Sequence, residues 1–225
     1  MSIGLLNEGP LHAALKAAYT ANGGAEEVPV ESFVADAVRG GVMYEIQTGS
    51  FSGLQRKMSA LVEVGPVVLV HPLARTTRIV KVDDSGELSK PRKSPKREQL
   101  VHIVNELVYL PTLLNHPNFS VEAVLVDVEE LRAFDPAKRR RRGGWRVVEK
   151  RLVEMVDGVR LRAMADLYDF LEDELPEVFG TRQLAAALQQ PLHIAQKMAY
   201  CLRHAGVVEI VGKEGNALQY RNVIP

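Results

Sequence analysis

Hydrophobic and polar positions alternate most clearly between residues 30 and 47, around the dipeptide Gly40-Gly41. Runs of β-forming residues on both sides of a Gly-Gly dipeptide are typical of a two-residue hairpin loop. A loop at these glycines places Asp36 directly opposite Glu45. Because side chains alternate across a strand, Gln47 is expected on the same face as Glu45. The pattern therefore predicts a hairpin that carries two acids side by side.

The other face of the predicted hairpin is apolar and is expected to lie against a core. It comprises Phe33, Ala35, Ala37, Val42, Tyr44 and Ile46. On the polar face, two opposed carboxylates repel each other and destabilise the strand pair. A divalent cation with hard oxygen ligands would offset that repulsion, whereas an exposed hairpin would hold its acids in water. The hairpin residues alone leave both interpretations open.

Helical spacing and continuous apolar runs around the hairpin predict a mixed α/β fold. The predicted elements are helices over residues 8–20 and 50–64, strands over 67–70 and 76–82, a helix from 100 towards Pro111, a strand over 121–128 and a helical turn over 129–134. Residues 90–97 are predicted to form a loop because prolines interrupt a basic run. Residues 146–156 fit a strand and a helix equally well.

The pattern changes near Asp157-Gly158, which predicts two domains over residues 1–157 and 158–225. The second domain is expected to contain an amphipathic helix over 161–175, a short helix from Thr181, a longer helix from 192 to His204, and strands over 207–211 and 217–221. Cys201 lies on the apolar stripe of the longer helix, so we expect it to serve packing.

Composition places the chain among ordinary globular proteins. It has 225 residues, of which 46% are hydrophobic and 25% are charged. No apolar run approaches the roughly 18 residues that a membrane-spanning helix needs. The first residues lack a basic region followed by an apolar stretch, and the single cysteine cannot form an internal disulfide. We therefore expect a cytoplasmic protein that does not contact a membrane.

The formal net charge of zero conceals two basic segments. Residues 72–100 carry eight basic and four acidic side chains, and residues 138–151 carry eight and one. The basic runs are Lys90–Arg97 and the tetrad Arg139, Arg140, Arg141 and Arg142. Such runs fit phosphate contacts that do not read sequence, but they fit solvated loops equally well.

The order of elements in residues 158–225 resembles a winged helix-turn-helix, a fold usually used on duplex DNA. In such modules the second helix of the pair enters the major groove and the hairpin touches the DNA backbone. The resemblance implies DNA contacts by His193, Gln196, Lys197, Tyr200 and Arg203 on the longer helix, and by Lys213 and Asn216 in the hairpin. Winged helices also dock other proteins, and this half is acidic, so a docking role stays open.

The αββαβ order of residues 5–82 resembles the core of the PD-(D/E)XK nuclease superfamily, which includes restriction enzymes and Holliday-junction resolvases. The family motif, an Asp and a Glu-X-Lys on adjacent strands, is matched by Asp36 and Glu45-Ile46-Gln47. The resemblance implies a restriction-endonuclease-like core whose Asp36 and Glu45 bind Mg²⁺ or Mn²⁺ together with the Ile46 carbonyl. A first-helix acid, which some members have, would correspond to Glu8. An acid in the first turn of a helix is also favourable by the helix dipole alone.

Gln47 departs from the family pattern, which most often has lysine at this position. Glutamine hydrogen-bonds a water molecule but supplies no charge and accepts no proton as a base. A lysine on the following helix would compensate in part, and Lys57 is the candidate, ahead of Arg56. The predicted catalytic set is therefore Glu8, Asp36, Glu45, Gln47 and Lys57.

Taken together, the two resemblances imply a Mg²⁺-dependent DNA endonuclease placed on DNA by a winged helix, with a role in DNA repair or recombination. Two alternatives remain: a non-catalytic DNA-binding regulator that keeps a nuclease-like fold, and a protein whose two modules dock other proteins. Because cutting both strands usually calls for two active sites, a homodimer is also open.

Overall fold

The computed structural model describes residues 9–83, 85–136 and 144–223, which form two β-sheets and the helices around them. The large sheet is mixed and has seven strands, in the order β1-β2-β3-β4-β6-β7 with β5 added to β4. Its strands are β1 (Ala25–Val30), β2 (Phe33–Arg39), β3 (Val42–Ile46), β4 (Val67–Val82), β5 (Arg92–Lys93), β6 (Phe119–Phe134) and β7 (Trp145–Leu161). The helices of this part are α1 (Pro10–Thr20), α2 (Gln55–Val64) and α3 (Val104–Leu107), with 3₁₀ turns at Leu100–Ile103 and Leu113–Asn115.

Strand direction follows the length of each connection. Strands β1, β2 and β3 form an antiparallel meander joined by tight turns. Strand β4 runs parallel to β3, and α2 forms the crossover between them. Parallel neighbours require such a crossover because a short turn cannot reverse the chain twice. Strand β6 is parallel to β4, and β7 is antiparallel to β6.

The predicted hairpin has the expected turn, and it has the expected register as far as the Ala37–Tyr44 pair. Asp36 and Glu45, which are expected directly opposite each other, are not paired in the ladder. Gly40 and Gly41 have φ angles of 59° and 77°, which are typical of a two-residue turn of the I′ class. Val38 pairs with Met43, as a loop at these two glycines requires. This confirms the position of the loop.

The predicted apolar face of the hairpin is only partly right. Ala37, Tyr44 and Ile46 pack together in the core that α1 covers. Ala35 lies in the core on the other face of the sheet. The alternation breaks because the β2–β3 pairing extends no further than the Ala37–Tyr44 pair.

Each face of the large sheet is covered by a core. Helix α1 supplies Leu11, Leu15 and Tyr19 to one face. On the opposite face, α2 and α3 pack with Met43 and Leu69. This second core continues into the C-terminal part of the chain, whose buried residues belong to the same cluster.

Strands β4, β6 and β7 continue well past the end of β3 and form an extended arm. The arm corrects two predictions: residues 67–82 form one strand rather than two, and residues 129–134 extend β6 rather than forming a helical turn. It also decides the open case of residues 146–156, which belong to β7. Long-range pairing decides these cases, because each backbone is hydrogen-bonded to a neighbouring strand over almost its whole length.

The C-terminal part begins after β7, and it corrects the helix predicted over residues 161–175. Strand β7 runs to Leu161, so the boundary predicted at residues 157 and 158 falls inside it. A 3₁₀ turn at Met164–Phe170 follows. The carboxylate of Asp166 accepts the backbone N–H groups of Arg162 and Ala163, which fixes a tight turn instead of a continuous helix.

The remaining elements are β8 (Val178–Gly180), α4 (Thr181–Ala187), α5 (Leu192–His204), β9 (Val208–Glu214) and β10 (Ala217–Asn222). The three strands form a small antiparallel sheet in the order β8-β10-β9. Helix α5 packs on α3 of the first part, and Cys201 is fully buried. Among the described residues, no helix is both long and apolar enough to cross a membrane.

Candidate functional site

The candidate site lies where β2 and β3 separate beyond the hairpin. The carboxylate of Asp36 accepts the backbone N–H of Ile46 at 2.8 Å, through Oδ2. This side chain therefore takes a backbone N–H group at the point where the β2–β3 ladder stops. The separation opens the sheet at the position of the two acids.

Helices from both faces of the sheet contribute one basic side chain each. From α1, the Nε2 atom of His12 lies 3.2 Å from Oδ2 of Asp36. From α2, the ammonium group of Lys57 donates a hydrogen bond to Oε1 of Glu45. The side chains of Asp36 and Lys57 keep 21% and 24% of their surface exposed, so solvent reaches the site.

Glu45 is the least satisfied group of the site. It is only 7% exposed, and its Oε2 atom has no hydrogen-bond partner among the described residues. Burial, and next the charge of Asp36, raise the pKa of Glu45 to about 7, although Lys57 opposes the shift. Near neutral pH the Glu45 carboxyl group is therefore partly protonated, unless a further positive charge binds beside it and stabilises the carboxylate.

Asp36 behaves in the opposite way. Burial alone would raise its pKa, but hydrogen bonds from His12 and from the Ile46 N–H, together with the positive charges of His12 and Lys57, lower it below the ordinary value. The pKa values of the two neighbouring acids are thus shifted in opposite directions. Perturbed pKa values of this kind are typical of functional sites.

The segment after β3 is fixed by three hydrogen bonds. The side-chain amide of Gln47 donates to the Ser50 carbonyl at 2.7 Å. The Nδ1 atom of His71, on β4, lies 2.7 Å from the Gln47 carbonyl oxygen. The N–H of Phe51 donates to Oε2 of Glu106, on α3, at 2.9 Å. Gln47 therefore follows Glu45 in a rigid segment, as an amide and without a charge.

The donor set fits a divalent cation in chemistry, but it is small. Asp36 and Glu45 provide hard carboxylate oxygens of the kind that Mg²⁺ and Mn²⁺ prefer. The unpartnered Oε2 atom of Glu45 is an acceptor without a proton donor, which is the environment that a cation would complete. Within the described ranges, no group of three or more His, Cys, Asp or Glu side chains is arranged to hold a metal ion. Any ion here would need ligands from the backbone, water or substrate.

Comparison with known proteins adds a family. A family model described as "Domain of unknown function (DUF8091)" matches residues 9–162. The chain belongs to this family. The DUF8091 segment contains α1, the hairpin, α2 and the arm, and thus all four side chains of the candidate site.

One relative extends beyond the DUF8091 segment. An "Uncharacterized protein" of Treponema pallidum (strain Nichols) is 29% identical over 226 residues, covering 100% of this chain and 89% of that protein. The similarity therefore includes the small sheet and α4 and α5, which follow the DUF8091 segment. No solved structure matches the chain.

Most of the predicted catalytic residues meet at one place in the DUF8091 segment. Asp36, Glu45 and Lys57 come together, and Gln47 lies just beyond the end of β3. Arg56 is exposed on α2. Glu8 and the tetrad from Arg139 to Arg142 lie outside the described residues.

The predicted DNA-binding residues of the C-terminal part are exposed with one exception. The exposed ones are His193, Gln196, Tyr200, Arg203, Lys213 and Asn216. Lys197 was expected to point outward, but its ammonium group donates to Oδ1 of Asn105, on α3, at 2.7 Å. Helix α5 packs this side against the DUF8091 segment, so Lys197 is half-buried, and its DNA contact stays a prediction.

His12 is the site residue that the sequence reasoning missed. It lies beside Leu11 and off the apolar stripe of α1, so the hydrophobic pattern of the helix does not single it out. A signal does exist: His12 and Lys16 are spaced by four residues, so two polar side chains lie on one face of α1. Lys16 on that face is nearly buried, and it contacts Glu27 at 3.2 Å.

Proposed function

We propose that this protein is a metal-dependent DNA endonuclease that hydrolyses phosphodiester bonds with a PD-(D/E)XK-like site. The order of strands supports the proposal, since an antiparallel meander is followed by α2 and by β4 parallel to β3. The observation that carries it is the pair of acids: Asp36 and Glu45 lie on adjacent strands, and a buried oxygen of Glu45 has no partner among the described side chains.

Each side chain has a role that its chemistry allows. Asp36 and Glu45 would hold Mg²⁺ or Mn²⁺, which in phosphodiester hydrolysis activates water and offsets charge on the phosphate. The Lys57 ammonium group is placed to offset negative charge that develops beside Glu45. The amide oxygen of Gln47 can accept a hydrogen bond from a water molecule. His12 orients the Asp36 carboxylate.

The C-terminal part supports a winged-helix assignment. Helices α4 and α5 are separated by a tight break at Gln189–Pro191, and β9 and β10 form the hairpin that would act as the wing. The outward side chains of α5 include His193, Gln196 and Arg203, which can contact bases and phosphates. In this proposal α5 places the nuclease-like part on duplex DNA.

The test is cleavage of supercoiled and branched DNA by the full chain, with Mg²⁺ or Mn²⁺ and with EDTA. Asp36→Asn and Glu45→Gln should each lower the cleavage rate by at least about 100-fold, since each removes a charged metal ligand at nearly constant volume. Glu174→Gln, which changes an exposed acid of the C-terminal part, serves as the control and should cut at the normal rate.

Metal binding gives the independent readout. We expect electron paramagnetic resonance of Mn²⁺ to report a bound ion in the unmodified protein and a much weaker signal in both site variants. Cleavage that persists at full rate in Asp36→Asn and Glu45→Gln would refute the proposed site.

A second candidate function is a DNA-binding regulator that has no nuclease activity. Two observations favour it: position 47 holds an uncharged glutamine, and Lys57 already occupies one carboxylate oxygen of Glu45. This alternative predicts salt-sensitive DNA binding, lost in Arg203→Ala, without cuts in either metal. DNA cuts that depend on Asp36 would exclude it.

A further inference from the structure

A basic segment lies along the open edge of β4 and is held there by backbone hydrogen bonds. We define the basic strip as residues 89–98. The N–H groups of Ser89, Ser94 and Glu98 donate to the carbonyl oxygens of Lys81, Thr77 and Ala74 at 2.8, 2.8 and 2.9 Å. Between them, β5 pairs with Arg78 and Ile79 of β4. The basic run is thus mostly a loop, as predicted, but it is anchored to β4 and contains the two-residue strand β5.

The strip and the adjacent residue of β4 carry exposed cations along this edge of the sheet, which are Arg78, Lys90, Arg92, Lys93, Lys96 and Arg97. Because Arg92 and Lys93 are neighbours on β5, their side chains lie on opposite faces of that edge. Across the described ranges, an ion pair is found for one of them only, between Lys96 and Glu98 at 3.0 Å. Arg78 stands directly opposite Lys93 in the β4–β5 pairing. Like charges in that position destabilise a strand pair, so a polyanion would relieve a strain that the fold itself leaves in place.

The opposite edge of the arm differs, although it is equally rich in charge. On β7, Arg151 is paired with Glu149, Arg160 with Glu122, and Lys150 with Glu130. Exposed cations without an acidic partner are therefore not a general property of the arm. Their lack of acidic partners is local to the β4 edge.

The strip connects the candidate site with the C-terminal part. At one end, Glu98 binds Ala74 of β4, three residues beyond His71, which contacts the Gln47 carbonyl. The next residue, Gln99, accepts a hydrogen bond from Gln190 in the break that precedes α5. A ligand on the strip would thus lie along β4 next to both the site and the start of α5.

The dimensions and chemistry of the strip fit a nucleic-acid backbone. It follows β4 from residue 81 to 74, which is roughly 23 Å at the usual rise of a strand. That length corresponds to about seven base pairs of duplex. Pro91 and Pro95 lack N–H groups, so the strip is a poor edge for a further strand. Lysine and arginine on such a surface contact phosphates without reading bases.

We propose that the basic strip binds the phosphate backbone of duplex DNA, independently of sequence, and guides the duplex along β4 towards the site. This inference rests on the proposed function for the identity of the substrate. It adds a binding surface that is separate from α5 and from the two acids.

The test compares two double variants of the full chain. Arg92→Gln with Lys93→Gln removes two cations of the strip. Lys150→Gln with Arg162→Gln removes two from β7 and the residue that follows it, and is the matched control. Binding of a fluorescent duplex of random sequence is measured by anisotropy over a series of salt concentrations, in EDTA so that no cleavage occurs. Circular dichroism confirms that each variant is folded.

The strip variant should bind duplex about tenfold more weakly at low salt. Its negative slope of log K against log salt should become shallower by about 1.8, since each lost phosphate contact removes about 0.9. The control should keep the slope of the unmodified protein. An unchanged slope in the strip variant, or an equal fall in the control, would overturn the strip. Tighter binding of a single strand than of the duplex, with the same loss in the strip variant, would overturn the duplex assignment.

The two proposals fail separately. A normal slope together with cleavage that depends on Asp36 removes the strip and leaves the endonuclease. A reduced slope without any cleavage by the unmodified protein removes the endonuclease and supports the strip as a surface of the DNA-binding regulator.

Discussion

At the scale of single residues, Glu45 is buried, and only one of its two carboxylate oxygens has a hydrogen-bond partner among the described residues. Lys57 binds one carboxylate oxygen, and the other lacks a partner within the described part of the chain. An acid with a raised pKa binds protons more tightly in the folded than in the unfolded protein. Its ionisation therefore costs stability when no further cation is present.

Replacing Glu45 by glutamine should stabilise the metal-free protein at alkaline pH. The unfolded acid titrates near 4.5 and the folded one near 7, so the folded state binds more protons between these values, and stability falls as the pH rises through them. Above pH 7 we expect Glu45→Gln to raise the free energy of unfolding by roughly 1–3 kcal/mol. At pH 4 the two proteins should be nearly equal. Urea denaturation in EDTA at both values measures this, and a variant that is less stable at pH 8 would contradict the description of Glu45.

The hairpin loop makes the approach of Asp36 to Glu45 predictable, because it fixes the register of the two strands, although the ladder itself ends at the Ala37–Tyr44 pair. The acids and the lysine are 9 and 12 residues apart along the chain, so little tertiary information is needed to bring them close. His12 reaches Asp36 only because α1 packs on the face of the sheet opposite α2. The burial of Glu45 likewise depends on helix packing, which the alternation of a strand does not specify.

At the scale of elements, the two glycines of the hairpin position both acids. Both have positive φ angles, which cost a residue with a Cβ atom about 1 kcal/mol or more. No atom lies within 4 Å of a Cβ built at Gly40, so the cost at that position is conformational and not steric.

Gly40→Ala should therefore destabilise the fold by about 1 kcal/mol, whereas Gly40→Asn should be milder because asparagine tolerates the left-handed region. Thermal unfolding of the three proteins in EDTA measures the difference. Both variants should retain Mn²⁺ binding, since the loop does not contact the acids. An alanine variant as stable as the unmodified protein would mean that the turn is not of this class.

The arm shows where sequence patterns stop being informative. The hairpin is decided by four or five neighbouring residues, but residues 129–134 pair with β4 and β7, which lie far away in sequence. The basic strip is a loop except for the two residues of β5, as its prolines predict. Its attachment to the carbonyl groups of β4 cannot be predicted from the run itself.

At the scale of the whole molecule, buried residues of the DUF8091 segment and of the C-terminal part belong to one core cluster. Leu107 of α3 and Met198 of α5 belong to one buried cluster, and Lys197 and Gln190 bind Asn105 and Gln99 across the contact. The change in hydrophobic pattern near residue 157 reflects a change from strands to helices, and the two domains predicted from it stay a prediction. Sequence periodicity identifies buried faces, but it does not say which faces share a core.

A shared core predicts that the two parts unfold together. Leu107 is fully buried in the common cluster, so Leu107→Ala should cost about 2–5 kcal/mol, and it should do so for both parts. Trp145, the single tryptophan, reports on the arm by fluorescence, and hydrogen exchange of α5 reports on the C-terminal part. Both probes should give the same unfolding free energy and shift equally in the variant. The control is Val64→Ala, at a half-exposed position of α2, which should shift both by less than about 0.5 kcal/mol. Loss of protection in α5 without a change in the Trp145 transition would show that the C-terminal part is an independent unit. The position of α5 relative to the two acids would then not be fixed by the core.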